Sequence, residues 1–247
     1  MISNNNEAII RLTDKTAINL PPAVIQPQYD RRRHRIGILH LGLGAFHRAH
    51  QAFYTDLAMG NAGGDWRICG VSLCSSTARD QLKPQDALFT VAEKTGDGCR
   101  YQLVGAIGDV LFAPEEHVAL QLYLTSEAIK IVSLTITEKG YLHDPATGRL
   151  NENDAGIQHD LNHPDRPRTA VGLLVNALAA RRKAGTAPFT LLSCDNLPEN
   201  GKLLRNVLTD FAALCDDSLA RWIGEAVSFP CTMVDRIVPA TTVTYSQ

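Results

Sequence analysis

Apolar and polar positions alternate along this chain in two distinct rhythms. Ile36 to Leu41 (IGILHL) is a short apolar run that stops at a glycine-containing turn, as a strand buried on both faces does. From Phe46 to Met59 the apolar positions recur at helical spacing, at Phe46, Ala49, Phe53 and Leu57, until Gly60 ends them. The unit reads strand, glycine turn, helix. Trp66 to Leu73 predicts a second strand, and Leu88 to Ala92 and Tyr101 to Ile107 predict two more joined by the turn Thr95 to Gly98. Pro114, Glu115 and Glu116 open a helix running to about Leu124, and the β-branched run Ala128 to Thr135 is the next strand. Glu138 to Arg168, with Asp144-Pro145, Pro164 and Pro167, is a connection too long and too polar for a routine turn. Thr169 to Arg182 is a helix with a basic last turn before Gly185, Pro188 to Cys194 a buried strand, and Glu199 to Leu214 an amphipathic helix. Residues 1–34, proline-broken and ending in Arg31, Arg32 and Arg33, read as an irregular N-terminal arm. Residues 35–247 read as one α/β domain, Rossmann-like and doubly wound, with its strands parallel in one sheet and helices on its flanks.

Composition narrows the class of partner. The 247 residues carry 24 Lys plus Arg against 26 Asp plus Glu, a formal charge of −2, and 45% are hydrophobic. No surplus of positive charge and no basic run interleaved with aromatics is present to hold a phosphate backbone, so nucleic acid is not an expected partner. The longest uncharged apolar stretches fall short of the roughly 18–20 residues of a membrane span. The polar start MISNNNEAII lacks the pattern of a signal peptide. Six scattered cysteines without a C-x-x-C pair predict reduced thiols, no zinc site and a cytoplasmic protein. A small molecule is the expected partner.

In a doubly wound sheet, ligands bind beyond the carboxyl ends of the strands. Gly42 and Gly44 permit a tight turn and close backbone approach just where the following helix offers its free amides to a pyrophosphate. The third glycine of the dinucleotide fingerprint is replaced by His47. No carboxylate ends the second strand to hold the ribose; Ser75, Ser76 and Arg79 stand there instead and could admit a 2′-phosphate, so NAD versus NADP stays open. Two further strand ends carry polar groups, Thr135 to Tyr141 and Ser193 to Gly201. Asn196 in the second of these is a neutral donor suited to a developing alkoxide, with helix capping by Asp195, Asn196 or Asn200 as the alternative. His47 and His50 have no third ligand for a metal. The motifs of α/β-hydrolases and nucleoside triphosphatases are absent from the sequence.

The run Ile36-Gly37-Ile38-Leu39-His40-Leu41-Gly42-Leu43-Gly44-Ala45-Phe46-His47-Arg48-Ala49-His50-Gln51 resembles the cofactor loop of the mannitol dehydrogenase family, the polyol-specific long-chain dehydrogenases. Val132 to Tyr141, Ser193 to Asn196 and Phe229 to Pro239 resemble further family blocks in the same order, with the closest likeness to its fructuronate reductase (D-mannonate oxidoreductase) branch. The resemblance implies metal-free, NAD-linked hydride transfer between a keto sugar acid or ketose and its alcohol. It implies a cofactor set of Gly42, Leu43, Gly44, Ala45, Phe46, His47, Arg48, Thr137 and Glu138. It also implies half of an oxyanion hole at Asn196 and a substrate-cleft signature at Asp235 and Arg236. The family's K-x-x-x-x-N-x-x-H pattern, from a mostly helical C-terminal domain, does not occur in this sequence. The chain is therefore expected to be the cofactor portion of a family member, with that domain as its missing partner and little turnover alone. The rival expectations are a non-catalytic dinucleotide-binding or interaction module, and a methyltransferase-like sheet holding another adenosine ligand.

Overall fold

In the computed structural model, which describes residues 11–96, 98–234 and 236–239, the alternation of strand and helix is present throughout. The elements are β1 (Val24–Ile25), β2 (Ile36–Leu41), α1 (Ala45–Ala49), α2 (Gln51–Ala62), β3 (Arg67–Ser72), α3 (Thr77–Leu82), β4 (Phe89–Thr95), β5 (Gly98–Val104) and β6 (Ile107–Phe112). They continue with α4 (His117–Thr125), β7 (Ile131–Leu134), β8 (His143–Asp144), β9 (Arg149–Leu150), α5 (Ala155–Asn162), α6 (Ala170–Ala184), β10 (Thr190–Ser193), α7 (Asn200–Cys215) and α8 (Asp217–Ala226). The main sheet has the order β10-β7-β2-β3-β6 with every pair parallel. Its winding starts at β2, proceeds outward through β3 and β6, then crosses back to β7 and β10. The direction reverses between β2 and β7, and a crevice opens at that point in such sheets.

Alternation along the strands assigns the two faces. Leu39 and Leu41 of β2, Val132 and Leu134 of β7 and Leu191 of β10 pack with α4, α6, α7 and α8 in the larger core. Ile38 and Ile68 face α2 and the β4–β5 ribbon in the smaller one. His40 and Ser133, register partners on adjacent strands, lie on this second face.

Four expectations are corrected. The strands do not all join one sheet: β4 and β5 form an antiparallel hairpin, and β1 adds parallel to β5 through Val24 opposite Tyr101. Part of the N-terminal arm is thereby a strand. The single strand expected over Tyr101 to Ile107 is divided into β5 and β6 at Gly105. That residue's N–H donates to Asp56 Oδ1 at 2.7 Å and its carbonyl accepts from Arg31 Nε at 3.1 Å. Both charged side chains are buried, so the chain is pinned as it passes from the small sheet to the large one. The helix expected from Phe46 to Met59 is broken at His50, whose φ and ψ of −115° and −92° separate α1 from α2. α8, not anticipated, starts at Asp216, which accepts from Ser218 N, and buries Leu219 and Ile223 one turn apart.

Candidate functional site

A cavity of about 630 Å³ lies at the carboxyl ends of β2, β3 and β7, where the sheet order reverses. Its walls include Gly42, Gly44 and Arg48 from the glycine turn, Ser75 after β3, and Thr137 and Arg168 from the opposite side. The turn is held from below. Gly42 N–H and Leu43 N–H both donate to Val71 O, at 2.8 and 3.3 Å, and Leu43 buries its side chain against Gly70. Gly42 has φ of +99°, and a Cβ there would sit 2.1 Å from Thr135 O, so only glycine fits. Gly44 is different: its backbone is extended, and a Cβ would meet nothing nearer than Gly42 O at 3.8 Å. The room beside Gly44 is open and borders the cavity.

Beneath the turn runs a buried polar chain. His40 Nδ1 lies 2.8 Å from Ser133 Oγ and Nε2 lies 2.9 Å from Thr135 Oγ1. Thr135 Oγ1 donates to Gly42 O at 2.8 Å, and Ser133 Oγ lies 2.7 Å from the side-chain amide of Gln51. The imidazole of His47 stacks on that of His40, centroids 3.4 Å apart, and neither of its ring nitrogens has a hydrogen-bond partner. Burial lowers His40 to about 3. Burial, with the charges of His40, Arg48 and His50 adding to it, holds His47 well below the usual histidine range. Both rings are neutral at physiological pH, and they act as a rigid floor for the carbonyl of Gly42.

On the far wall, Asp195 ties three groups together. Its carboxylate accepts from Ile136 N–H at 3.1 Å, Thr137 N–H at 3.0 Å and Tyr141 O–H at 2.8 Å. These bonds hold Thr137 at φ of +63°, a costly conformation for a branched residue, and so fix the cavity edge. Asn200 is buried at the start of α7. Its Nδ2 donates to Asp195 O (3.0 Å) and to Thr232 Oγ1 (3.0 Å), and its Oδ1 accepts from Thr232 N–H (2.9 Å). Asn200 therefore clamps the segment after α8 onto the end of β10 rather than capping a helix. Asn200→Ala is expected to lower stability by about 2–3 kcal/mol, since it strands several buried partners at once. A urea unfolding curve, with faster amide exchange at Thr232, checks this.

The fold thus brings Gly42, Leu43, Gly44, Arg48 and Thr137 together. The other residues of the expected set lie elsewhere. Ala45 is exposed, Phe46 stacks on His50 and His47 lies under the turn, so none of the three lines the cavity. Glu138 is exposed just beyond Thr137. Asn196 is exposed next to the anchored Asp195. Arg236 pairs with Glu93 and lies over the rings of Phe53 and Tyr54, at 4.8 and 5.5 Å, away from the cavity. Asp235 lies outside the described residues. Sequence reasoning overlooked His40 and Ser133. The signal was present: a histidine and a serine inside otherwise apolar strands need buried partners.

The family model described as the mannitol dehydrogenase Rossmann domain matches residues 36–247. This chain belongs to the mannitol dehydrogenase family. It is 49% identical to an uncharacterized oxidoreductase, YeiQ, of Escherichia coli, over 92% of this chain and 47% of that protein. It is 43% identical to the D-mannonate oxidoreductase of E. coli, over 91% of this chain and 46% of the other. The fold superimposes with a TM-score of 0.91 on the Pseudomonas fluorescens mannitol 2-dehydrogenase solved as a ternary complex with NAD and D-mannitol. The identity there is 46%, over 96% of this chain and 49% of that one. The chain thus spans about half the length of the relatives it matches. Identities of 43% to the mannonate enzyme and 46% to the mannitol enzyme do not divide the family's sugar-acid branch from its polyol branch. No helix among the described residues is long and apolar enough to cross a membrane.

Proposed function

We propose that this chain is the dinucleotide-binding half of a cytoplasmic, NAD-dependent oxidoreductase that interconverts a keto sugar acid or ketose and its alcohol, such as fructuronate and mannonate or fructose and mannitol. One observation carries the reading: the cavity at the switch point is bordered by a glycine whose Cβ direction is empty and by an arginine without a counter-ion. Gly44 leaves room for a ligand to approach the backbone, and Arg48, part-buried on the same wall, makes no ion pair among the described residues. Arg168 opposite makes none either. Free amides and two unpaired guanidinium groups suit a pyrophosphate diester. A 630 Å³ cavity has room for one end of a dinucleotide.

The cofactor, when bound, supplies or accepts the hydride. The protein's own contribution is placement: the turn and Arg48 orient the diphosphate, and Thr137 and Glu138 border the nicotinamide side. Asn196, exposed beside the anchored Asp195, serves as a donor to the substrate oxygen. By resemblance, Asp235 and Arg236 stand in the signature of a substrate cleft that a second, mostly helical domain completes and to which it brings the general base, Arg236 being held on Glu93 in this chain. Residues 1–247 by themselves are expected to bind cofactor with little turnover.

The ribose end favours NAD over NADP. Arg79, a cation just after β3, is already engaged, with Nε 2.8 Å from Asp80, Nη1 2.6 Å from Glu115 and 3.5 Å from Glu116. A 2′-phosphate would meet a surplus of carboxylates there. Fluorescence titration of the purified chain is expected to show NADH binding at least ~10-fold tighter than NADPH, the discrimination that one unfavourable charge contact of about 1.4 kcal/mol brings. Equal affinities would sink the assignment of specificity, and absence of binding to either would sink the dinucleotide reading.

A further inference from the structure

A second polar cavity lies at the opposite end of the sheet, where β3 begins. It measures about 290 Å³, and its walls include Arg31, Arg32, Arg67 and Lys83 facing Asp14 and Asp109. That is the small end of ligand-sized pockets, too small for a dinucleotide and roomy for an anion of a few heavy atoms with some water. The six residues of β3 separate it from the cofactor cavity by roughly 17–20 Å.

Every charged group on these walls has a partner except one. Asp14 is 2.6 Å from Arg31 and 3.5 Å from Arg32. Asp86 accepts from Asp14 N–H. Asp109 accepts from Tyr123 O–H at 3.0 Å and from Val110 N–H at 2.8 Å. Lys83 is 2.7 Å from Glu116. Arg67 has no ion pair and no side-chain hydrogen bond among the described residues, and its Nε is shut away from water without an acceptor. Burial, with the charge of Arg31 adding to it and that of Asp14 opposing it, lowers its affinity for its own proton. The guanidinium lies on the bare backbone of Gly108, where a Cβ would come within 2.9 Å of Arg67 Cζ. A guanidinium seated this way, turned to a cavity it shares with three further cations, lacks a counter-charge that the protein does not supply.

We propose that this cavity binds a small oxyanion of the phosphate class, with Arg67 as its principal ligand. The site is independent of the dinucleotide reading, because it shares no wall residue with that cavity.

The test compares thermal unfolding of the purified chain in sodium phosphate and in sodium chloride at matched ionic strength, for the natural protein, Arg67→Gln and Gly108→Ala. Phosphate at about 100 times its dissociation constant is expected to raise the natural protein's Tm by roughly 5–10 °C over chloride. Arg67→Gln should lose most of that rise while remaining at least as stable as the natural protein in chloride, since it removes an unpaired charge. Gly108→Ala keeps the charge but displaces the guanidinium, so it should weaken the rise, and it serves if Arg67→Gln fails to fold. An equal phosphate effect in all three proteins, which is general anion exclusion, overturns the proposal. So does an Arg67→Gln variant that is less stable by the same amount in both salts, which is a purely structural role. Competition between phosphate and NADH for the natural protein places the anion in the cofactor cavity and overturns it as well.

Discussion

Lowering the pH from about 7.5 to about 5 is expected to remove roughly 2 kcal/mol of folding stability through His40 alone, with a further loss of the same sign through His47. Both side chains are buried beneath the glycine turn with no carboxylate beside them, and burial lowers His40 to about 3. A histidine whose folded value is lowered takes up its proton more readily in the unfolded chain. Stability is therefore intact above the unfolded value near 6.5 and is lost as pH falls from there toward about 3. At pH 5 the unfolded histidine is almost wholly charged and the folded one almost wholly neutral, so the size of the loss barely depends on where below 4.5 the folded value lies. Asp56, raised by burial, contributes the opposite sign at the acid end of this window. The comparison that isolates the pair is urea unfolding of the natural protein and of His40→Gln at both pH values. The stability gap between them should narrow by about 2 kcal/mol on acidification, because only the natural protein carries the His40 penalty. Parallel curves would defeat this account, as would imidazole NMR signals of His40 and His47 that titrate near 6.5. Loss of the floor also reaches function: Thr135 holds Gly42 O and is itself held by His40. NADH affinity should therefore weaken before global unfolding.

Gly42→Ala and Gly44→Ala should separate folding from binding, although the two glycines are only two residues apart. At Gly42 a methyl group meets Thr135 O at 2.1 Å, and the backbone is at φ +99°. Neither side can yield cheaply, because Thr135 N–H donates to Leu41 O and belongs to the junction between β2 and β7. Combining the conformational penalty with overpacking against backbone, Gly42→Ala should cost about 3–5 kcal/mol. At Gly44 the φ of −108° suits any residue and the added methyl enters the cavity, so stability should change by less than about 1 kcal/mol. NADH binding, in contrast, should fall at least ~10-fold, since the methyl occupies room the ligand needs. Unfolding curves and NADH titrations on the two variants check both halves. A Gly44→Ala protein that binds NADH normally would show that the cofactor does not approach this turn.

Much of this protein was legible from local pattern. Ile36 to Leu41, the glycine turn and the strand ending at Thr135 declare themselves because apolar runs and glycines act through neighbours in the chain. The family follows from the same residues, and so does the location of the cavity, because parallel strands joined by helices admit few topologies. What stayed hidden depended on contacts between residues far apart. Gly105 interrupts a continuous β pattern because Asp56 and Arg31, 49 and 74 positions away, take its N–H and its carbonyl. Arg31 reads in sequence as one of three arginines ending an irregular arm, yet it is buried. His47 looks like a ligand-facing substitute for a glycine, and the structure turns it under the loop onto His40. Arg236 stands in a block matched to the substrate cleft but folds back onto Glu93 and α2. Local residue pattern sets most of the strands, helices and turns, because hydrophobic period and backbone freedom are properties of short segments. Which polar side chains are buried as supports and which are left free for a ligand is decided by tertiary structure, because the cost of burying a charge or a hydrogen-bonding group depends on the partner that packing brings to it.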